Sequence, residues 1–297
     1  VSLIRPRSPW QPLGCALLAV VASMPVHAQG TVPTPAAESA RQVAVHDLAL
    51  QDGASQRVLF YAPGAAMRGL IVMFPGGAGD VGIEQDGQIR NGENFVVRTR
   101  ERWAQRGYGV LIVDAIGRES LRGERSTPQY AAVVREVLAY AHTLTDRPVW
   151  VMGTSQGAIS AMRAASMAQA GELAGVVLSE SVSVLGRSHE TVFDVHPEAV
   201  RIPALVVANR DDRCRVAPPS KARDIAAAMP RAQATVLMEE GGNWQSNNAC
   251  SSGSPHGYWG IDAKVVDDID QWLTSVAAAR SSDAASATRA DQVESGR

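Results

Sequence analysis

The chain has 297 residues, 45% of them hydrophobic and 20% charged, with a formal net charge of −2. An apolar content this high rules out a chain disordered throughout, and the lack of a basic excess weighs against a nucleic-acid partner. The length suits one large α/β domain or two small ones.

The first 28 residues have the layout of a secretory signal peptide. Arg5 and Arg7 precede an apolar run over 13–24, and Val26-His27-Ala28 closes it with a small-residue cleavage pattern. The run is too short to span a bilayer comfortably. Cys15 follows Pro12-Leu13-Gly14, a poor lipobox because the apolar stretch comes after the cysteine, so no lipid anchor is expected. Removal of residues 1–28 takes the formal charge to −4 and leaves Cys214 and Cys250. An even pair in an exported chain, periplasmic or extracellular, reads by default as a disulfide. No CxxC or Cys/His cluster suggests a metal, and none is expected.

Between the ends, short apolar runs alternate with helical patterns, and neither a repeat nor a long linker interrupts them. Leu70-Ile71-Val72-Met73-Phe74 reads as a strand ending at Pro75-Gly76-Gly77, followed by a helix-like segment over 94–105 and a strand over 110–113. Residues 130–143 read as a helix, with Val133, Val134, Val137 and Leu138 on its apolar face. Val149-Trp150-Val151-Met152 is the next strand, then a helix over about 156–170, and buried strands over 175–178 and 204–208. Continuous apolar strands separated by helices imply an α/β fold, one mostly parallel sheet with helices on both faces. Residues 280–297, rich in Ser, Ala, Asp and Arg without apolar periodicity, read as a disordered tail.

Gly153-Thr154-Ser155-Gln156-Gly157 follows a strand directly and opens a helix. A sharp strand-to-helix turn leaves no room for side chains at its glycines and projects the serine hydroxyl above the sheet, while the helix N-terminus favours developing negative charge. A serine hydroxyl needs a base to take its proton, and the base needs an acid to orient it. In this architecture the order after the serine is acid, then histidine. Only His256 lies beyond the strand 204–208, and it sits in Ser254-Pro255-His256-Gly257-Tyr258, a loop-forming stretch before the last helix. His189 and His196 read as surface residues. The acid is Asp212 or Asp211, with the spacing after the strand favouring Asp212 and Asp211 then serving the turn; Glu180, just after the strand 175–178, is the third candidate. For the oxyanion, the N–H of Gln156 supplies one donor. Gly77 in Phe74-Pro75-Gly76-Gly77-Ala78-Gly79 supplies the second, with Gly76 and Ala78 as alternatives.

With the glycine loop, the serine elbow, the Asp211/Asp212 turn and His256-Gly257 in this order, the chain over 57–277 resembles the α/β-hydrolase superfamily. It looks most like small secreted bacterial serine hydrolases of the esterase or dienelactone-hydrolase-like kind. Pro75 departs from the histidine that often precedes the oxyanion glycine. The resemblance implies an α/β-hydrolase fold with a catalytic domain over 57–279, preceded by a lead-in and first strand region over 29–56. It also implies attack by Ser155 on an activated carbonyl, an acyl-enzyme, and release by water with His256 as base. No cofactor is needed. A serine at the elbow argues against dehalogenases and epoxide hydrolases, which use an aspartate there.

Cys214 is two residues after Asp212 and Cys250 six before His256, so a bridge between them would tie the acid loop to the base loop. Only 25 residues separate Leu178 from Ala204, enough for a minimal cap and not a lid domain. An open site for small or exposed esters is therefore expected. Trp244 and Trp259 flank the base loop, where they either line a pocket or belong to the core. The glycine-bearing stretch 80–94 reads as a mobile loop near the oxyanion side or as plain surface. Three functions stand: a secreted carboxylic-ester hydrolase acting on a small-molecule ester, a peptidase or amidase on the same triad, and a non-catalytic binding protein on a hydrolase scaffold.

Overall fold

A computed structural model describes residues 42–51 and 53–295. The expected signal peptide lies outside the described residues. In chain order the elements are β1 (Val43–Ala49), β2 (Ser55–Tyr61), β3 (Gly69–Phe74), α1 (Phe95–Arg98), α2 (Arg100–Gln105), β4 (Tyr108–Val113) and α3 (Pro128–Leu144). They continue as β5 (Val149–Thr154), α4 (Gly157–Met167), β6 (Gly175–Ser179), β7 (Ala204–Asn209), α5 (Ala222–Ala227), β8 (Ala234–Glu239) and α6 (Asp262–Ser295).

The eight strands form one sheet in the order β1-β2-β4-β3-β5-β6-β7-β8. β1 and β2 pair antiparallel with each other, β2 pairs antiparallel with β4, and the remaining strands are parallel. Every residue of β3, β4, β5, β6 and β7 is buried, as a sheet covered on both faces requires. The pleat divides their side chains between two cores. Leu70, Val72 and Phe74 of β3 pack with Val134 of α3 and Ile159 of α4, while Ile71 and Met73 pack with Phe95 of α1, Trp103 of α2 and Ile269 of α6. Strand order reverses between β3 and β5. The crevice outside the carboxyl ends of a parallel sheet at such a reversal is where ligands bind, and Ser155 stands at that point.

The structure departs from the sequence reading in three places. The segment 94–105 is two helices meeting at Thr99, whose hydroxyl donates to the Phe95 carbonyl at 2.7 Å. The sheet starts at Val43, so a domain boundary at 57 falls inside β2. The last helix continues past 279 through Ser295, where a disordered tail is expected. Val265, Val266, Ile269 and Leu273 anchor its first half, and no Gly or Pro interrupts the Ala-rich remainder, whose helix propensity carries it on without an apolar stripe.

Candidate active site

The turn from β5 into α4 is shaped by close backbone approach. A Cβ at Gly157 would lie 2.0 Å from the Phe74 carbonyl oxygen, and one at Gly153 would lie 2.2 Å from the Gly157 oxygen. Only glycine lets β3, β5 and α4 meet this closely. Ser155 takes a left-handed φ of 57°, costly for a residue with a Cβ, and its N–H donates to the Ser179 carbonyl at 2.9 Å. The surrounding backbone thus fixes a strained serine at the top of the sheet.

A continuous chain of hydrogen bonds starts from that serine. His256 Nε2 lies 2.9 Å from Ser155 Oγ, and His256 Nδ1 lies 2.7 Å from Asp212 Oδ2. The side chains of His256 and Asp212 are 3% and 0% exposed, while Ser155 keeps access to solvent. Of the two adjacent aspartates, Asp211 points elsewhere: its Oδ2 accepts the Gly241 N–H at 2.7 Å on the surface. The second oxygen of Asp212 accepts the Cys214 N–H at 2.7 Å.

Asn209, at the end of β7, clamps this arrangement. Its Nδ2 donates to the carbonyls of Gly241 and Pro255 at 2.8 and 3.1 Å, joining the acid turn to the loop that carries His256. Arg98 holds the same loop from the other side, donating to the Gly257 carbonyl and pairing with Asp262 at 2.6 Å. Cys214 and Cys250 are disulfide bonded, with their Cα atoms 4.7 Å apart. The bridge crosses between the two loops, and Cys250 lines the space around Ser155.

Glu180 is brought to the site without entering the chain from serine to aspartate. It follows β6 with a left-handed φ of 43° and is 1% exposed. One oxygen accepts the Asn209 N–H at 2.7 Å, while Oε2 is buried without a hydrogen-bond partner. Burial, and secondarily the charge of Asp212, raise its carboxyl well above the ordinary carboxylate range. Glu180, Asp212 and His256 bring one donor atom each within 4.8 Å of the others. Hydrogen bonds engage both ring nitrogens of His256 and both oxygens of Asp212.

On the other side of Ser155 lies the loop after β3. A Cβ at Gly76 would meet the Thr154 carbonyl at 2.7 Å and the Ser155 Cβ at 3.1 Å, and Gly77 has φ 62°. Among the described residues the N–H groups of Gly77 and Gln156 donate to no protein acceptor. Buried Arg125 holds the loop from behind through the Pro75 carbonyl at 3.3 Å. Asp114, which the sequence reading did not single out, fixes the stretch that follows. Its carboxylate accepts the N–H groups of Val81 and Ile83 at 2.8 Å, Ala115 at 2.9 Å and Gly82 at 3.3 Å. A buried carboxylate directly after an apolar strand was the available signal.

Two cavities flank Ser155, of about 500 and 560 Å³, and Gly77, Ser155 and Cys250 line both. The stretch 80–94 contributes Asp80, Arg90, Glu93 and Asn94 to the first. The flap between β6 and β7 is short, with two 3-10 turns at Val192–Val195 and Pro197–Ala199, and it lines the second cavity from Val184 to Ser188. His189 and His196 lie exposed on it. Trp244 and Trp259 line neither cavity; each stacks under an arginine, Arg213 and Arg98 respectively.

No protein-family sequence model and no curated protein sequence matches the chain. Solved structures do match its fold. Est1E from Butyrivibrio proteoclasticus superposes with a TM-score of 0.56 at 14% identity, covering 79% of this chain and 99% of that one. A dienelactone hydrolase from Anabaena variabilis gives 0.55 at 13% identity, over 79% and 98%. The acylaminoacyl peptidase of Pyrococcus horikoshii gives 0.53 at 11% identity, over 78% of this chain and 42% of that one. The fold is that of the α/β-hydrolases.

Proposed function

On this α/β-hydrolase fold, we propose that the protein is an exported serine hydrolase that cleaves small carboxylic esters through an acyl-enzyme. The observation that carries the proposal is the unbroken hydrogen-bonded line from Ser155 Oγ through His256 to Asp212. In this reading Ser155 Oγ attacks the ester carbonyl as His256 Nε2 takes its proton. Buried Asp212 holds the imidazole with its proton on Nδ1 and stabilises the imidazolium that forms. The N–H groups of Gln156 and Gly77 receive the developing oxyanion. Collapse breaks the ester C–O bond, and His256 returns the proton to the leaving alcohol. A water, deprotonated by His256, then releases the acid and regenerates Ser155.

Export is supported by the signal-peptide layout over 1–28 and by the disulfide, which an oxidising compartment would maintain. No helix among the described residues is long and apolar enough to cross a membrane. The short flap and the openness of Ser155 to both cavities favour small or exposed substrates.

Paired substrates test the reaction class. The mature protein should hydrolyse p-nitrophenyl butyrate far faster than the matching p-nitroanilide, and Ser155→Ala should abolish the ester activity. Equal or faster turnover of the anilide would make the protein an amidase on the same residues. A wild type inert toward both, with the disulfide formed, would leave a binding protein on a hydrolase scaffold.

A further inference from the structure

One fully buried cation has no part in the hydrolytic steps above. Arg125, 1% exposed, lies against the loop that follows β3. We infer that Arg125 is a positioning residue for the oxyanion: it braces from behind the turn that presents the Gly77 N–H and sets a positive charge beneath it. This rests on the ester-hydrolase reading above and adds to it a residue that acts through the loop, without touching substrate.

The turn runs from Pro75 to Gly79, and the Gly79 N–H closes it by donating to the Gly76 carbonyl at 3.1 Å. Arg125 reaches both ends. Its Nη2 donates to the Pro75 carbonyl at 3.3 Å and stands 3.0 Å from where a Cβ on Gly79 would be. Gly79, with φ 85°, leaves the room that the guanidinium fills. Between these ends Gly77 presents an N–H that no protein acceptor takes among the described residues. The Gly76 carbonyl belongs to the same peptide unit as that N–H and is itself hydrogen bonded, which strengthens the N–H as a donor.

The guanidinium is held as firmly as the turn it supports. Nη1 donates back to the Leu121 carbonyl at 3.1 Å, and the Leu121 N–H donates to the Ala78 carbonyl at 2.9 Å. The loop that carries Arg125 is therefore bonded directly to the turn. That loop is fixed in two further places. The buried carboxylate of Glu190 accepts the N–H groups of Gly123 and Ser126, both at 2.9 Å, and Arg163 of α4 donates to the Ser126 carbonyl.

The charge itself is left without a contact partner. Among the described residues no carboxylate forms an ion pair with Arg125, and its Nε is buried with no acceptor. Burial draws the guanidinium below the ordinary arginine range, the Glu190 charge pulls the other way, and arginine keeps its proton at any pH where a histidine base works. Both Glu190 oxygens are already taken by backbone N–H groups. A buried charge without a contact partner is expensive, and an apolar side chain of similar volume would serve packing better. Arg122, on the same loop, is exposed, so solvent and salt screen it. Arg125 is not screened. In a dry interior its charge acts over a longer range than in water, and being fixed beforehand it favours the oxyanion without reorganisation.

The test compares the wild type with Arg125→Met, which keeps the length without charge or donors, and with Arg125→Lys, which keeps the charge. On p-nitrophenyl butyrate, Arg125→Met should lower kcat roughly tenfold at unchanged KM, less than the loss of about a hundredfold or more expected for a direct oxyanion donor. An alkyl trifluoromethyl ketone reads the oxyanion without turnover. Ser155 Oγ adds to its carbonyl carbon, the proton passes to His256, and the carbonyl oxygen takes the negative charge. The ketone Ki should rise by the factor by which kcat falls, and Arg125→Lys should recover most of both. The ratio of wild type to Arg125→Met should hold from about 0.01 M to about 1 M salt, because the charge is buried. Unchanged kcat and ketone affinity in a folded Arg125→Met, a change confined to KM, or a ratio that collapses with salt would overturn the inference. Equal losses in Arg125→Met and Arg125→Lys, or failure of both to fold, would also overturn it and leave Arg125 a residue of the fold alone. A folded wild type that neither binds the ketone nor takes a fluorophosphonate label would instead overturn the hydrolase reading.

Discussion

Glu180 and Asp212 hold their carboxyl groups within 4.8 Å of each other in a site almost closed to solvent. Two carboxylates cannot both be charged there cheaply, and the environments differ. Asp212 faces His256 Nδ1 and the Cys214 N–H, whereas Glu180 has a single N–H partner and one bare oxygen. Burial therefore disfavours the charged form of Glu180, while Asp212 is the carboxyl hydrogen bonded to His256.

This has a measurable consequence for stability. The native carboxyl of Glu180 titrates above its unfolded value near 4.5, so between the two values the folded state binds more protons than the unfolded one. Stability contributed at this site is thus full below about pH 4.5 and declines as pH rises toward the native value, by at most about 1.4 kcal/mol per pH unit. Glu180→Gln carries no such proton. Denaturant midpoints across pH 4.5 to neutrality should show the wild type losing stability relative to Glu180→Gln as pH rises, and parallel curves would contradict it.

The two adjacent aspartates should separate cleanly. Asp212→Asn leaves the packing but favours the wrong imidazole tautomer, and a loss in kcat of about ten-thousandfold is expected. Asp211→Asn weakens only the surface bond to the Gly241 N–H, with a stability cost of about 1 kcal/mol and activity near that of the wild type. Steady-state kinetics on both variants check the assignment, and a reversed order would transfer the role to Asp211.

Much of this site was legible in the sequence because the chemistry constrains local pattern. The elbow showed itself since a buried strand, two obligatory glycines and a helix start fall within a few residues of Ser155. His256 followed from chain order alone. What stayed hidden depends on tertiary approach. β1 is half exposed and β8 is an edge strand with only Glu239 fully buried, so neither reads as a continuous apolar run. Asn209 joins the acid turn to the base loop through the Gly241 and Pro255 carbonyls, partners 32 and 46 positions away that no local pattern announces.

The disulfide should matter to both stability and catalysis. Cys214 and Cys250, 36 positions apart in sequence, close a segment that begins two residues after Asp212 and ends six before His256. Chain-entropy reasoning puts its contribution at about 3–4 kcal/mol. Reduction, or Cys250→Ser, should lower the unfolding midpoint and cut kcat/KM at temperatures where the protein remains folded. Full turnover with both thiols free would show that the Asn209 and Arg98 contacts position His256 without it.

Asp114 acts at a distance from the serine. Removing its carboxylate leaves the N–H groups of Val81, Gly82, Ile83 and Ala115 without their acceptor. Asp114→Ala should cost about 3 kcal/mol or more by thermal or denaturant unfolding. The loop it fixes adjoins Gly77, so kcat should fall as well, and a variant of wild-type stability would contradict the assignment.

The most direct measurement is labelling of the oxidised mature protein with a fluorophosphonate, comparing wild type, Ser155→Ala and His256→Ala by intact mass. One covalent adduct on the wild type, none on Ser155→Ala and at most slow labelling of His256→Ala are predicted, because only a serine activated by its histidine reacts at a useful rate. A folded wild type that takes up no label, or one that labels equally well without His256, would contradict the account.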